Sequence, residues 1–149
     1  MAIAVTGVGA RSAFGDGVSA LWDNLVAGAC ALTEPAWLGA TGPVGLVPGR
    51  SPGHRSSAFA CDAARQALGD RPPPPGLAVV GASTSGDMWA GEDAFQQDLL
   101  TGAPERPGVY LWHQLCHRPA QAVARSIGAT GPAVSVSSAC SSGTVALSV

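Results

Sequence analysis

One cysteine in this sequence stands where a strand gives way to a helix. Ala133 to Ser137 alternates apolar and polar residues in the β-branched manner of a strand. Gly143 to Val149 holds small and apolar residues that suit the opening of a buried helix. Between them lies Ser138-Ala139-Cys140-Ser141-Ser142. The unpaired N–H groups of a first helical turn carry partial positive charge, which favours a thiolate beside them. Small neighbours (Ala139, Ser141, Ser142, Gly143) allow a sharp turn and let a substrate carbonyl approach the sulfur. The same N–H groups can help hold the oxyanion of a tetrahedral intermediate. This is the logic of a nucleophile elbow, with sulfur in place of the serine oxygen. A cysteine in an apolar chain is also commonly a small core residue, and the junction alone leaves both readings open.

Other residue patterns carry less chemistry. His113 and His117 are four apart, a spacing that brings two imidazoles to one helix face and can bind a metal if a third ligand is near. No glutamate accompanies them in a zinc-protease arrangement, and Cys116 points to a different face, so no metal site is expected. Gly7-Val8-Gly9 ends a short apolar run, Ala2 to Thr6, as in a dinucleotide-binding turn. The third glycine position holds Ser12, and Phe14-Gly15-Asp16-Gly17 forms another loop where a helix should continue, so the nucleotide reading fails. The four cysteines, Cys30, Cys61, Cys116 and Cys140, show no CxxC or other metal-type spacing.

The elements that must position Cys140 follow an alternating order. Ala2 to Thr6 reads as a strand. Val18, Leu21, Trp22 and Leu25 share one face of a first helix, capped by Asp16 or Ser19 and closed by Gly28, with Trp22 in the core. Thr33 to Gly53 is a surface excursion with an extended segment at Val44 to Pro48, an edge strand at most because of Pro43 and Pro48. A second helix starts at Ser56 or Ser57 and runs to Leu68, with Cys61 in a structural position. Pro72 to Pro75 is a stiff connector into the strand Leu77 to Val80, which ends in the loop Gly81-Ala82-Ser83-Thr84-Ser85-Gly86. Ligand sites of α/β proteins lie at such carboxyl ends of strands. Asp87 to Thr101 is irregular to helical, and a helix from His113 to about Ile127, interrupted or kinked at Pro119 and closed by Gly128, leads to the Cys140 strand.

Apolar residues make up 46% of the 149 and charged residues 12%, a composition of buried elements that argues against disorder. All eight basic residues are arginine and the net charge is −2, so no broad cationic surface for nucleic acid or an anionic membrane is expected. No apolar run is long enough for a membrane span and no secretory leader is evident. A cytoplasmic protein with reduced thiols is the expectation.

Ser137-Ser138-Ala139-Cys140-Ser141-Ser142-Gly143-Thr144-Val145-Ala146-Leu147 resembles the nucleophile signature of β-ketoacyl synthases, the condensing enzymes of fatty acid and polyketide synthesis. A second match lies far from the first: Thr6 to Gly15 is similar to the opening of that family, and the likeness continues through the first helix and Ala27 to Leu32. Gly81 to Gly86, Pro119 to Arg125 and Gly128 to Pro132 also fit. The resemblance implies an α/β, thiolase-like layered αβαβα fold. It makes Cys140 the acyl-accepting nucleophile, with its own backbone N–H as one oxyanion donor. Thr84 and Ser85 in the strand-end loop, and Ala139 and Ser141 beside the cysteine, become candidates for substrate contact.

The resemblance covers nearly all of residues 1–149 but corresponds to less than half of a full synthase, so the expected fold is incomplete, one partial N-terminal domain truncated just after the elbow. The family's downstream histidine motifs, lysine, glycine-rich loop and second half have no counterpart here. By resemblance the chemistry is decarboxylative Claisen condensation of an acyl thioester with a malonyl-type extender. The enzyme carries no cofactor of its own; phosphopantetheine belongs to the partner, an acyl carrier protein. Further expected partners are a second copy or a ketosynthase-like subunit, with Ala133 to Ser137 at the interface, and a separate C-terminal half. A fragment of this kind is expected to be inactive alone. A non-catalytic, chain-length-factor-like or decayed subunit and a coenzyme A-dependent thiolase-type enzyme remain open alternatives.

Overall fold

The computed structural model describes residues 3–36, 42–49, 54–102, 112 and 114–149. It divides into two units, Met1–Arg50 with Asp62–Gly69, and Ser51–Cys61 with Asp70–Val149.

In the first unit the chain forms two small antiparallel pairs and a helix. β1 (Arg11–Ser12) pairs with β2 (Gly15–Asp16), and β3 (Leu32–Thr33) pairs with β4 (Val44–Gly45). The expected strand at Ala2 to Thr6 is absent among the described residues. Ile3 and Val5 are exposed, and among the described residues the first ladder pairing is at Arg11; an apolar run without a ladder partner does not form a strand. α1 (Val18–Val26) follows the expected 3.6-residue pattern, and Gly28 adopts the left-handed conformation just beyond it. Its cap differs: Gly17 occupies the N-cap, and the Asp16 carboxylate pairs with the Arg11 guanidinium, which also donates to the Pro48 carbonyl at 2.6 Å. Trp22 is not a core residue; it is 64% exposed, and Leu25 and Val26 are exposed beside it. Periodicity identifies the residues that share a face but not what covers that face.

α2 (Arg55–Leu68) gives its first half to the second unit and its second half to the first. Cys61 is buried in it, as expected of a structural position.

The second unit is built on the parallel pair β5 (Val79–Ala82) and β6 (Ala133–Val136), with Val79 opposite Ala133 and Ala82 opposite Val136. β5 lies two residues later than the sequence predicts, since the turn Pro74–Leu77 consumes Leu77, whose N–H bonds to the Pro74 carbonyl at 3.1 Å. Parallel strands need a long crossover. Here it contains α3 (Met88–Thr101) and α4 (Arg118–Ile127). The segment expected as irregular to helical over Asp87 to Thr101 is thus regular helix from Met88, with Asp87 at its N-cap, and is closed by left-handed Gly102. Pro119 does not kink a longer helix. It sits in the first turn of α4, where no N–H is needed; residues 114–117 are not helical, and the expected start at His113 lies outside the described residues. α4 and the last helix, α5 (Ser142–Ser148), both pack on β5 and β6. Gly81 lets α4 approach the sheet: a Cβ there would lie 2.8 Å from the Cβ of Ala120, which is 2% exposed.

Candidate active site

β6 ends at Val136, α5 begins at Ser142, and the chain reverses between them through Ala139, Cys140 and Ser141. Ala139 has φ +49°, the one positive value at a non-glycine among the described residues. A left-handed L-residue costs about 1–2 kcal/mol, so neighbours must hold it there. They do so through its carbonyl, which accepts the Ser142 N–H at 3.2 Å and the Ser142 hydroxyl at 2.7 Å. The same Ser142 oxygen accepts the Ser138 N–H at 2.8 Å. Ser142 is buried, and its hydroxyl is used both as donor and as acceptor. Ser141 adds an outer stitch, donating its N–H to the Ser138 carbonyl at 3.1 Å and its hydroxyl to the same oxygen at 2.7 Å. Cys140, at the apex, is exposed.

The loop after β5 meets this turn. Ser83 N–H bonds to the Val136 carbonyl at 3.3 Å, and the Thr84 hydroxyl reaches the Ala139 carbonyl at 3.5 Å, the outer limit of a hydrogen bond. Gly86 N–H bonds to the Ser83 hydroxyl at 2.9 Å and tightens the loop. Of the sequence-predicted residues, Cys140, Ala139, Ser141 and Thr84 therefore come together. Ser85 lies exposed in the same loop, and no hydrogen bond joins it to the turn among the described residues.

Two residues that sequence reasoning passed over belong to this neighbourhood. Cys116 donates its thiol to the Thr84 carbonyl at 3.2 Å; nothing in its local sequence marks it. Ser142 was one of several small neighbours of the cysteine, and only its burial and paired hydrogen bonds separate it from them.

A second polar cluster lies at the start of α3. Asp87 is 1% exposed; its carboxylate accepts the Ser57 N–H at 2.9 Å and the Ser57 hydroxyl, and His54 Nδ1 lies 3.5 Å away. The serine is bonded to the carboxylate and not to the imidazole, so the three do not form a nucleophile–base–acid relay. Arg55 stacks nearby on the rings of Phe59 and Trp89, 5.7 and 5.5 Å from their centroids. His117 stands at the N-cap of α4 and His113 lies outside the described residues. No group of three or more histidine, cysteine, aspartate or glutamate side chains able to hold a metal occurs among the described residues.

No protein-family model matches the chain, and no curated protein matches it by sequence. Solved structures do. The ishigamide ketosynthase/chain length factor superposes on 97% of this chain with a TM-score of 0.78 at 24% identity. A β-ketoacyl synthase from Burkholderia phymatum STM815 superposes on 97% with a TM-score of 0.71 at 25% identity. The chain spans 46% and 41% of the lengths of these two proteins. The fold is thus the thiolase-like α/β fold of ketosynthases, present in part. No helix among the described residues is long and apolar enough to cross a membrane.

Proposed function

We propose that this chain is part of a β-ketoacyl-acyl carrier protein synthase in which Cys140 accepts the acyl group. The observation that carries this reading is the exposed Cys140 at the apex of a strand-to-helix turn held by a left-handed residue, in a chain with the ketosynthase fold. The Cys140 sulfur attacks the carbonyl of an acyl thioester and forms a new C–S bond. The phosphopantetheine thiol of the carrier protein leaves and takes the proton. The Cys140 N–H is one donor to the oxyanion of the tetrahedral intermediate. A malonyl-type extender then loses CO2, and its carbanion attacks the Cys140 thioester carbonyl. The C–S bond breaks to release a β-ketoacyl product, and the leaving Cys140 thiolate takes up a proton from solvent. The groups that promote decarboxylation are supplied from outside these 149 residues. The reaction as written involves acyl transfer and carbon–carbon bond formation, and neither step changes the oxidation state of an enzyme-bound metal or redox group. Thr84, Ala139 and Ser141 border the acyl group, and Ser85 lies further along the same loop. A second ketosynthase-like subunit, identical or not, joins at β6.

A second reading, a non-catalytic chain-length-factor-like subunit, is favoured by one observation: a neighbour described as a ketosynthase/chain length factor shares the fold. Intact mass after incubation with an acyl-carrier thioester separates the two. The chain is tested alone, with a complementary C-terminal half supplied, and as Cys140→Ala. A mass gain equal to the acyl group, lost in the alanine variant, supports the catalytic reading. Absence of any gain with the second half present would favour the non-catalytic one.

A further inference from the structure

We propose that Ser142 is a positioning residue for Cys140, its hydroxyl holding Ala139 in the left-handed conformation that presents the cysteine. The inference rests on the reading of Cys140 as the nucleophile, and it concerns a hydroxyl that is bonded to the backbone of Ser138 and Ala139. The Ser142 hydroxyl sits inside the reversal and bonds to both residues that precede Cys140. It receives the Ser138 N–H at 2.8 Å and donates to the Ala139 carbonyl at 2.7 Å. A hydroxyl has one proton to give, and the geometry uses it on the carbonyl of the one strained residue in the turn.

The consequence for Cys140 follows from the planarity of the peptide bond. The Ala139 carbonyl and the Cys140 N–H belong to one trans peptide group and point in opposite directions. Fixing the carbonyl toward Ser142 and Thr84 therefore fixes the Cys140 N–H away from them. Without the hydroxyl, Ser138 N–H loses its partner, Ala139 loses the shorter of its two bonds to Ser142, and the left-handed residue is free to relax toward negative φ. The peptide then rotates, and with it both the N–H and the Cα–Cβ bond of Cys140.

A double-mutant cycle with Ala139→Gly tests this, because glycine occupies positive φ without a Cβ penalty and needs less support. The first readout is the rate of alkylation of Cys140 by iodoacetamide in the 149-residue chain, by peptide mapping, with exposed Cys30 as the internal reference. Ser142→Ala is expected to change the Cys140 rate about fivefold with the Cys30 rate unaltered, a factor in the range of one lost hydrogen bond. Ser142→Thr, which keeps the hydroxyl, is expected to stay within about twofold of the native rate. In the Ala139→Gly background, Ser142→Ala is expected to have less than about a twofold effect. Equal Cys140 rates in native and Ser142→Ala chains would overturn the proposal. So would an undiminished effect of Ser142→Ala in the glycine background, which would mean that the serine acts through general stability; thermal unfolding of each variant is recorded for that comparison. The second readout is acyl transfer with the complementary half supplied, where Ser142→Ala should lower the rate at saturating donor and leave the donor concentration for half-maximal rate unchanged. If Ser142→Ala alters alkylation of Cys140 but the native chain shows no acyl transfer with the complementary half supplied, the positioning role stands and the synthase reading fails.

Discussion

Asp87, the residue before α3, accepts the backbone N–H of Ser57 at 2.9 Å and so caps a helix other than its own. Ser57 lies in the first turn of α2, where N–H groups have no intrahelical acceptor. Aspartate at an N-cap ordinarily serves the helix it begins, but the Asp87 carboxylate makes no such bond to α3. Its second oxygen takes the Ser57 hydroxyl, and the whole group is shielded from water.

Asp87→Ala should therefore be costly. It leaves the buried Ser57 N–H and hydroxyl unpaired, and a loss of about 2–3 kcal/mol is expected from the urea unfolding midpoint. Ser57→Ala, which removes one bond and leaves the N–H contact, should cost about 1 kcal/mol. Equal, small losses in both would show that the carboxylate does not cap α2.

Gly81→Ala should force α4 off the sheet. The new Cβ would lie 2.8 Å from that of Ala120, on a side chain buried against the strand. Overpacking of this kind costs about 1–3 kcal/mol. The double variant with Ala120→Gly should recover part of the loss despite the poorer helix propensity of glycine. No recovery would place the strain elsewhere.

The four thiols should react in an order set by exposure. With a small alkylating reagent under native conditions, Cys30 and Cys140 are expected to label first, Cys116 later, and buried Cys61 about a hundredfold more slowly, through opening of the structure. Peptide mapping over time reads all four in one experiment. Early labelling of Cys61 would contradict its burial in α2.

Trp22→Ser should change the unfolding free energy of this chain by less than about 0.5 kcal/mol, since an exposed side chain loses little on truncation. A loss of several kcal/mol in the same urea titration would return Trp22 to a core.

These cases separate what was legible in the sequence from what was not. The β6–Cys140–α5 junction was legible because its signals are local: alternation over Ala133 to Ser137, then a run of small residues. α1 was legible from its period, yet the exposure of Trp22 was not, because burial depends on what lies opposite. Asp87 and Ser57 are 30 residues apart, and neither sequence context names the other. Pro119 reads in the sequence as interrupting or kinking a longer helix, but a proline is equally compatible with a first helical turn, and that is where it sits. Cys116 meets Thr84 across 32 residues of chain, a contact that no spacing rule anticipates.

The parallel register of β5 and β6 also orders events in time. Val79 pairs with Ala133, about fifty residues later, and every intervening residue must be synthesised before the ladder can close. At roughly 5–20 residues per second, β5 leaves the ribosome about 3 to 11 s ahead of its partner. During that interval its N–H and C=O groups have no strand to pair with in this register, and the Gly81 notch has no Ala120 to fill it. α3 and α4, whose contacts close over a few residues, can form while β5 waits. The residues that present Cys140 emerge after β5, α3 and α4, so the candidate nucleophile takes its place only once these preceding elements have been laid down.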